Sequence, residues 1–228
     1  MCGKFTAMFS YAEVHAFERF FIEDPADREA RKDQEATFRV MSTVPVHVWD
    51  REKQARRVIA MRWGFPHRTD WRRPDIIHAR SETIEEKKPF RDAFLGGQRG
   101  IVLVKTFNEA PDIPGPTIQH TITPDTAKSG IAMIWRSFDV GAAMPLLACV
   151  MVTVPANKLI AGLPTDRMPA ILDYGDWTKW TGEQPATVDE LKAMLKTVEG
   201  VRWKMNKEER AATTKRRKPT VSDPEGLL

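Results

Sequence analysis

The second residue carries the chemistry against which the rest of the chain is read. The sequence opens Met1-Cys2-Gly3-Lys4-Phe5, and removal of Met1, usual before a small residue, would make Cys2 the N-terminus. A terminal cysteine holds an α-amine (pKa about 7.7–8.0) and a thiol (about 8.5) on adjacent carbons. Both react with one aldehyde near neutral pH and close a five-membered thiazolidine. An internal cysteine has no such pair. The other cysteine, Cys149, lies far away in sequence. The two read as neither a disulfide framework nor a metal-ligand cluster, and the expectation is a reducing, cytoplasmic compartment with no metal and no cofactor.

Three later stretches carry side chains suited to serve Cys2. In His78-Ala79-Arg80-Ser81-Glu82-Thr83, strand alternation puts His78, Arg80 and Glu82 on one side and Ile77 and Ala79 on the other. The same spacing also reads as a plain Arg80–Glu82 surface ion pair, worth about 0–1 kcal/mol. Glu109 follows the most apolar run of the chain. Partial desolvation there would raise its pKa and make it a usable proton donor, whereas a solvated carboxylate ahead of a Pro-rich loop is the plainer alternative. Thr165-Asp166-Arg167-Met168-Pro169 precedes a short apolar run. Its arginine reads either as a tie for loop carbonyls or as a guanidinium offered to phosphate. Residues 64–73 add Arg68, Arg72 and Arg73 around Trp71. That mixture suits the bases and phosphates of single-stranded nucleic acid, or makes a loop with one half-buried tryptophan.

The elements that must position these residues are mostly short strands. Apolar, β-branched runs predict strands over 37–40, 44–49, 56–63, 75–79, 100–107, 117–123, 130–138, 146–154 and 201–205. Pro45 marks the second of them as an edge. Helices are predicted over 10–22, behind the Ser10–Glu13 capping box, over 89–95, from Pro155 to about 163, and behind the Thr187–Glu190 capping box. Residues 23–35 read as a charged surface loop. Strands and scattered helices without a βαβ rhythm predict an α+β fold.

At 228 residues with 42% hydrophobic and 29% charged content, the chain is long enough for one well-filled core. No apolar run approaches the roughly 20 residues of a membrane helix, nor does the start hold the apolar core of a signal peptide. The net charge of +4 is uneven, because residues 202–218 hold eight Lys/Arg against two Glu. The division expected is a domain over 1–205 and a basic, flexible tail over 206–228, which either grips nucleic acid or is merely solvated.

In order and spacing, Met1–Phe5, Met61-Arg62-Trp63-Gly64, His78-Ala79-Arg80-Ser81-Glu82-Thr83, Phe107-Asn108-Glu109-Ala110 and Thr165-Asp166-Arg167-Met168-Pro169 resemble the hallmarks of one family. This is the SOS response-associated peptidase (SRAP) family, whose members crosslink to abasic sites in single-stranded DNA. The resemblance runs from residue 1 to about 172 and includes Pro89-Phe90-Arg91 and the run from Thr153 to Asn157. It implies one domain whose many short, mostly antiparallel strands form a barrel-like, bifurcated sheet with flanking helices. It also implies that Cys2 forms a thiazolidine with the ring-opened sugar aldehyde, His78 hydrogen-bonds the adduct, Glu109 manages protons and Thr165 stands where a histidine assists ring opening. Lys4 and Arg80 would hold phosphates, Trp63 would help wedge and stack the DNA, and Thr153 and Asn157 would line the binding pocket; Arg167 joins the DNA-binding set as the guanidinium offered to phosphate.

The departures decide what is expected of this chain. His78 stands where the family has asparagine, Thr165 where it has histidine, and Lys4 where it has arginine. Threonine is no acid or base at pH 7, so His78, titrating near neutrality, is expected to take over that work. The leading reading is capture of abasic sites in single-stranded DNA, or at a single-strand/double-strand junction, by a monomer after Met1 removal. A degenerate binding module without crosslinking, and a thiol autopeptidase, are the alternatives.

Overall fold

The computed structural model describes residues 2–7, 36–111, 118–125 and 129–208. The helix predicted over 10–22, the loop over 23–35 and most of the basic tail lie outside them. Fourteen strands are described: β1 (Lys4–Ala7), β2 (Ala36–Arg39), β3 (Thr43–Asp50), β4 (Ala55–Trp63), β5 (Phe65–Pro66), β6 (Pro74–Ile76), β7 (His78–Arg80), β8 (Arg99–Glu109), β9 (His120–Thr123), β10 (Gly130–Phe138), β11 (Leu146–Pro155), β12 (Arg167–Pro169), β13 (Ile171–Leu172) and β14 (Lys204–Lys207). The α-helices among these residues are α1 (Lys88–Gly96), α2 (Trp177–Thr181) and α3 (Val188–Met194).

Five strands close on themselves. β3 pairs with β4, β4 runs parallel to β11, β11 pairs with β10, β10 with β8, and β8 returns to β3. The last join is one rung, His47↔Ile101. Gly100 permits it, because a Cβ there would stand 2.5 Å from Val46 Cγ1 and 2.9 Å from the His47 carbonyl oxygen. Alternation puts Val44, Val46, Met61, Val102, Met133 and Met151 on one face of this ring, all fully buried. Each contributes about 1.5–3 kcal/mol by leaving water.

β8 is long enough to leave the barrel, and here the sheet forks. Its second half pairs with β1 and β9, while β2 adds outside β1 and β14 outside β9. Alternation then sorts the side chains. Phe5, Phe107 and Ile122 form one cross-strand row at 0% exposure. The next row, Lys4, Asn108 and Thr121, emerges on the opposite face. The fold is thus the predicted α+β arrangement of a closed barrel with a branched sheet.

The helices follow their caps. α1 carries Pro89 in its first turn and ends on Gly97 at φ 82°, whose N–H returns to the Ala93 carbonyl. The left-handed geometry there favours glycine. α3 opens with the reciprocal Thr187–Glu190 capping box.

Two expectations need correction. The stretch from Pro155 to 163 is no α-helix. Pro155 ends β11 by pairing with Arg167, and only a 3₁₀ turn at Ile160–Gly162 follows. Gly162 and Pro164 leave no room for a longer helix, and proline suits a strand end as well as a helix start. Nor does Pro45 mark an edge. β3 lies between β4 and β8, but the β8 contact is confined to His47, so the Pro45 end lacks a second ladder for its missing N–H to interrupt.

Candidate functional site

The antiparallel register Lys4↔Asn108 brings the residues ahead of β1 beside the end of β8. Cys2 and Glu109 therefore meet where two strands finish. From the barrel side, β7 lies parallel to β11 with His78 opposite Met151. The His78 ring donates from Nε2 to the Cys2 carbonyl oxygen at 2.7 Å. Since a carbonyl only accepts, this fixes the tautomer with its proton on Nε2. Trp63 backs the cluster. Its ring lies 5.1 Å from Phe5 and edge-on to His78 at 6.4 Å, and its Nε1 donates to the Ile77 carbonyl at 3.2 Å.

Burial sets the charges. Glu109 has no exposed surface, and desolvation lifts its carboxyl to about 7. The positive charge of the terminal amine opposes the rise first, and the backbone N–H of Cys2, which faces that carboxylate, adds to the opposition. Cys2 is 2% exposed, and burial pushes its thiol well up, with the charge of Glu109 adding to the rise. Its Sγ–H donates to the Lys4 carbonyl at 3.4 Å. His78 is driven down to about 4, chiefly by desolvation, against the raising effect of its bond to Cys2 and with the charge of Arg167 adding to the fall. The expected titration of His78 near neutrality is therefore not met. It is a neutral donor, and Glu109 is the group of this cluster that changes charge near pH 7.

The residues expected to meet DNA divide sharply. Arg80 is exposed and, among the described residues, makes no ion pair. The anticipated Arg80–Glu82 pair is not formed, because Glu82 turns to Arg167, which donates to its two oxygens at 2.5 and 2.9 Å and to the Thr153 carbonyl at 2.6 Å. Arg167 is thus a buried tie that joins β12 to β11 and to Glu82. Thr153 is buried between that guanidinium and the Ala79 carbonyl. Asn157 is buried as well; it donates to the Val198 carbonyl at 3.0 Å and accepts from the Ile160 N–H at 2.9 Å. Trp63, expected to wedge and stack, has no exposed face at all. Lys4 is held by Glu208 at 2.6 Å. Thr165 is half-buried, its Oγ1 enclosed with no hydrogen-bond partner among the described residues. No contact ties it to Cys2, Glu109 or His78 among the described residues.

Beside His78 lies a hollow of about 290 Å³ lined by Arg80, Thr83, Lys87 and Phe90. Through Ile76 and Pro89, which line both, it continues into a groove of about 680 Å³ bounded by Phe65, Arg68, Trp71, Lys88, Arg136 and Phe138. Trp71 is 41% exposed, with the Arg72 guanidinium 5.4 Å from its ring centre. Lys87, Lys88, Arg136 and Phe138 were not singled out from sequence. The alternation of 130–138 was the available signal for the last two, since Arg136 and Phe138 share one face at the open end of β10. Among the described residues, no group of three potential metal ligands occurs, and no helix is long and apolar enough to cross a membrane.

Barrel, forked sheet and an enclosed thiol–carboxyl–imidazole cluster beside a basic, aromatic trough define the class of protein. The chain belongs to the SOS response associated peptidase (SRAP) family, whose model matches residues 1–211. Among solved structures it is similar to a protein from Bacteroides thetaiotaomicron, at 20% identity and TM-score 0.73, covering 92% of this chain and 93% of that one. A protein from Bordetella bronchiseptica is similar at 18% identity and TM-score 0.68, with 91% and 100% covered. A phage-related protein from the same organism has 18% identity, TM-score 0.65, and 92% and 95% covered. At these identities the likeness is one of fold. No curated protein matches the chain.

Proposed function

We propose that this protein binds single-stranded DNA and captures abasic sites covalently through Cys2. The observation that carries the reading is the placement of the Cys2 nitrogen against the Glu109 carboxylate. With Met1 present that nitrogen is an amide. Once Met1 leaves, it is the α-amine, already facing a carboxyl that burial lifts above the usual carboxylate range. The amine adds to the aldehyde carbon of the ring-opened sugar. Glu109 protonates the departing hydroxyl, water leaves, and an imine forms. Sγ then adds to the same carbon, its proton passes to nitrogen, and the thiazolidine closes with loss of one water overall. The high thiol pKa fits this order, because the imine is attacked from a few ångströms away and no free thiolate is required. His78 holds the Cys2 carbonyl and so fixes both nucleophiles. Arg80, Lys87 and Lys88 supply charge for phosphates along the trough, and its aromatics supply faces for bases.

Incubation of the Met1-free protein with an oligonucleotide bearing one abasic site, followed by a denaturing gel, tests this. A shifted band is expected from wild type and not from Cys2→Ala; equal yields would sink the reading. Cys2→Ser should give no stable adduct, since oxygen is the poorer partner in that ring. A second reading, DNA binding without crosslinking, is favoured by the 2% exposure of Cys2 and by threonine at 165. It wins if undamaged single strands bind well while no variant or condition gives a covalent band.

A further inference from the structure

Beyond the Cys2 cluster, the fork of the sheet builds a second polar feature. Register pairs run Arg39↔Lys4, Lys4↔Asn108, Asn108↔Thr121 and Thr121↔Asn206, so five strands contribute one residue each to a single row. Cross-strand partners share a face, here the face opposite Phe5, Phe107 and Ile122. Three donors in this row converge on one atom. Lys4 Nζ at 2.6 Å, Asn108 Nδ2 at 2.8 Å and Thr121 Oγ1 at 3.0 Å all donate to Oε1 of Glu208. Asn108 is 2% exposed, and its amide also donates to the Thr121 hydroxyl at 2.8 Å, which orients that hydroxyl toward the same oxygen. Arg39 stands exposed at the rim. Glu208 is held below the usual carboxylate range by Lys4 first, with Thr121 and Asn108 assisting.

A lysine, a buried amide and a hydroxyl aimed at one anionic oxygen form a ready oxyanion site. Glu208 reaches it from the end of β14, whose exposed strand is the sheet's outermost on that side. Phosphate contact at Lys4 is what the family resemblance already implies; we propose that Glu208 is an internal occupant of this nest, a carboxylate that a backbone phosphate of bound DNA displaces. Lys4 lies two residues from Cys2, and Asn108 is next to Glu109. A phosphate in the nest therefore sits around the strand ends from the capture site, on the outer side of the sheet. The carboxylate keeps Lys4 neutralised until a strand with a phosphate in register arrives, so undamaged, poorly placed DNA competes less well. The DNA part of this inference rests on the proposed function; the oxyanion site does not.

Glu208→Gln keeps the side-chain shape and removes the charge. Two titrations on the folded protein then separate the claims. With inorganic phosphate as the probe, Glu208→Gln should gain thermal stability, by about 3–6 °C at a tenfold excess over its Kd. Wild type should gain less, and Lys4→Met/Glu208→Gln should gain nothing. With undamaged oligothymidylate, Glu208→Gln should bind about fivefold more tightly than wild type, with a salt slope steeper by about 0.7 for the added phosphate contact. Glu52→Gln, the same charge change on an exposed turn, should leave the slope unchanged, and Lys4→Met should abolish the gain. A phosphate response equal in all variants would overturn the nest. A phosphate response confined to Glu208→Gln, with no gain on oligothymidylate, would overturn the displacement by DNA. If no variant binds single strands while the phosphate response holds, the nest stands and the proposed function falls.

Discussion

At the scale of single residues, burial assigns the roles that residue type left open. Glu109 was readable as a proton handler because it ends an apolar run, and the structure lifts it to about 7. His78 was readable as polar and strand-borne, yet nothing in the sequence showed that Trp63 and the Cys2 carbonyl enclose it. The two groups make opposite demands on stability. Glu109 titrates near 7 folded and near 4.3 unfolded, so the native state binds more protons between these values and stability falls as pH rises through them. His78 titrates near 4 folded and near 6.5 unfolded, so stability falls as pH drops through that window. The two slopes oppose each other. Chemical denaturation across pH 4 to 8 should show His78→Asn losing stability only on the alkaline side and Glu109→Gln only on the acid side, with wild type flatter than either. A second consequence concerns rate. His78→Asn retains a donor and should crosslink within about threefold of wild type, whereas His78→Leu should lose about 10- to 100-fold through misplacement of Cys2. The rate–pH inflection from Glu109 should persist in His78→Asn, whereas Glu109→Gln should keep only the inflection of the Cys2 α-amine, at about 7.7–8.0.

At the scale of elements, strands with clear apolar alternation were legible and the connections between them were not. β4, β8, β10 and β11 stand within two residues of the expected ends, because a barrel strand declares itself by a run of apolar residues. The segment after Pro155 misled because proline opens helices and closes strands alike. Its shape depends on Asn157, whose amide links the 3₁₀ turn to the Val198 carbonyl. Asn157→Ala should cost about 1–3 kcal/mol, since it leaves buried backbone groups unpaired, measurable by denaturant titration. The join of β12 to β11 and to the turn after β7 likewise depends on Arg167. Arg167→Met should destabilise by a similar amount while leaving the salt slope of DNA binding unchanged, because its guanidinium is spent on Glu82 and Thr153. Arg80→Ala should do the reverse, lowering the slope by about 0.7 at little cost in stability.

At the scale of the whole molecule, the α+β class and the forked barrel followed from strand content and motif order, while its closure did not. The ring is sealed by one rung beside Gly100, and a single glycine in an apolar run gives no sign of a strand crossing 2.5 Å from where its Cβ would be. Gly100→Val should therefore destabilise by about 1–3 kcal/mol or more through overpacking. β14 and Glu208 belong to the sheet, and the tail beyond is proposed to be separable. Ending the chain at 208 should keep the melting temperature within about 2 °C, whereas ending it at 203 removes β14 and Glu208 and bares the β9 edge.

The central claim is tested most directly by intact mass spectrometry of the Met1-free protein after reaction with an abasic-site oligonucleotide. The expected species has the mass of protein plus DNA less one water, survives denaturation, and yields on digestion an N-terminal peptide modified at Cys2. Unmodified protein under conditions where the oligonucleotide is bound, or an adduct mapped to any residue other than Cys2, would contradict it.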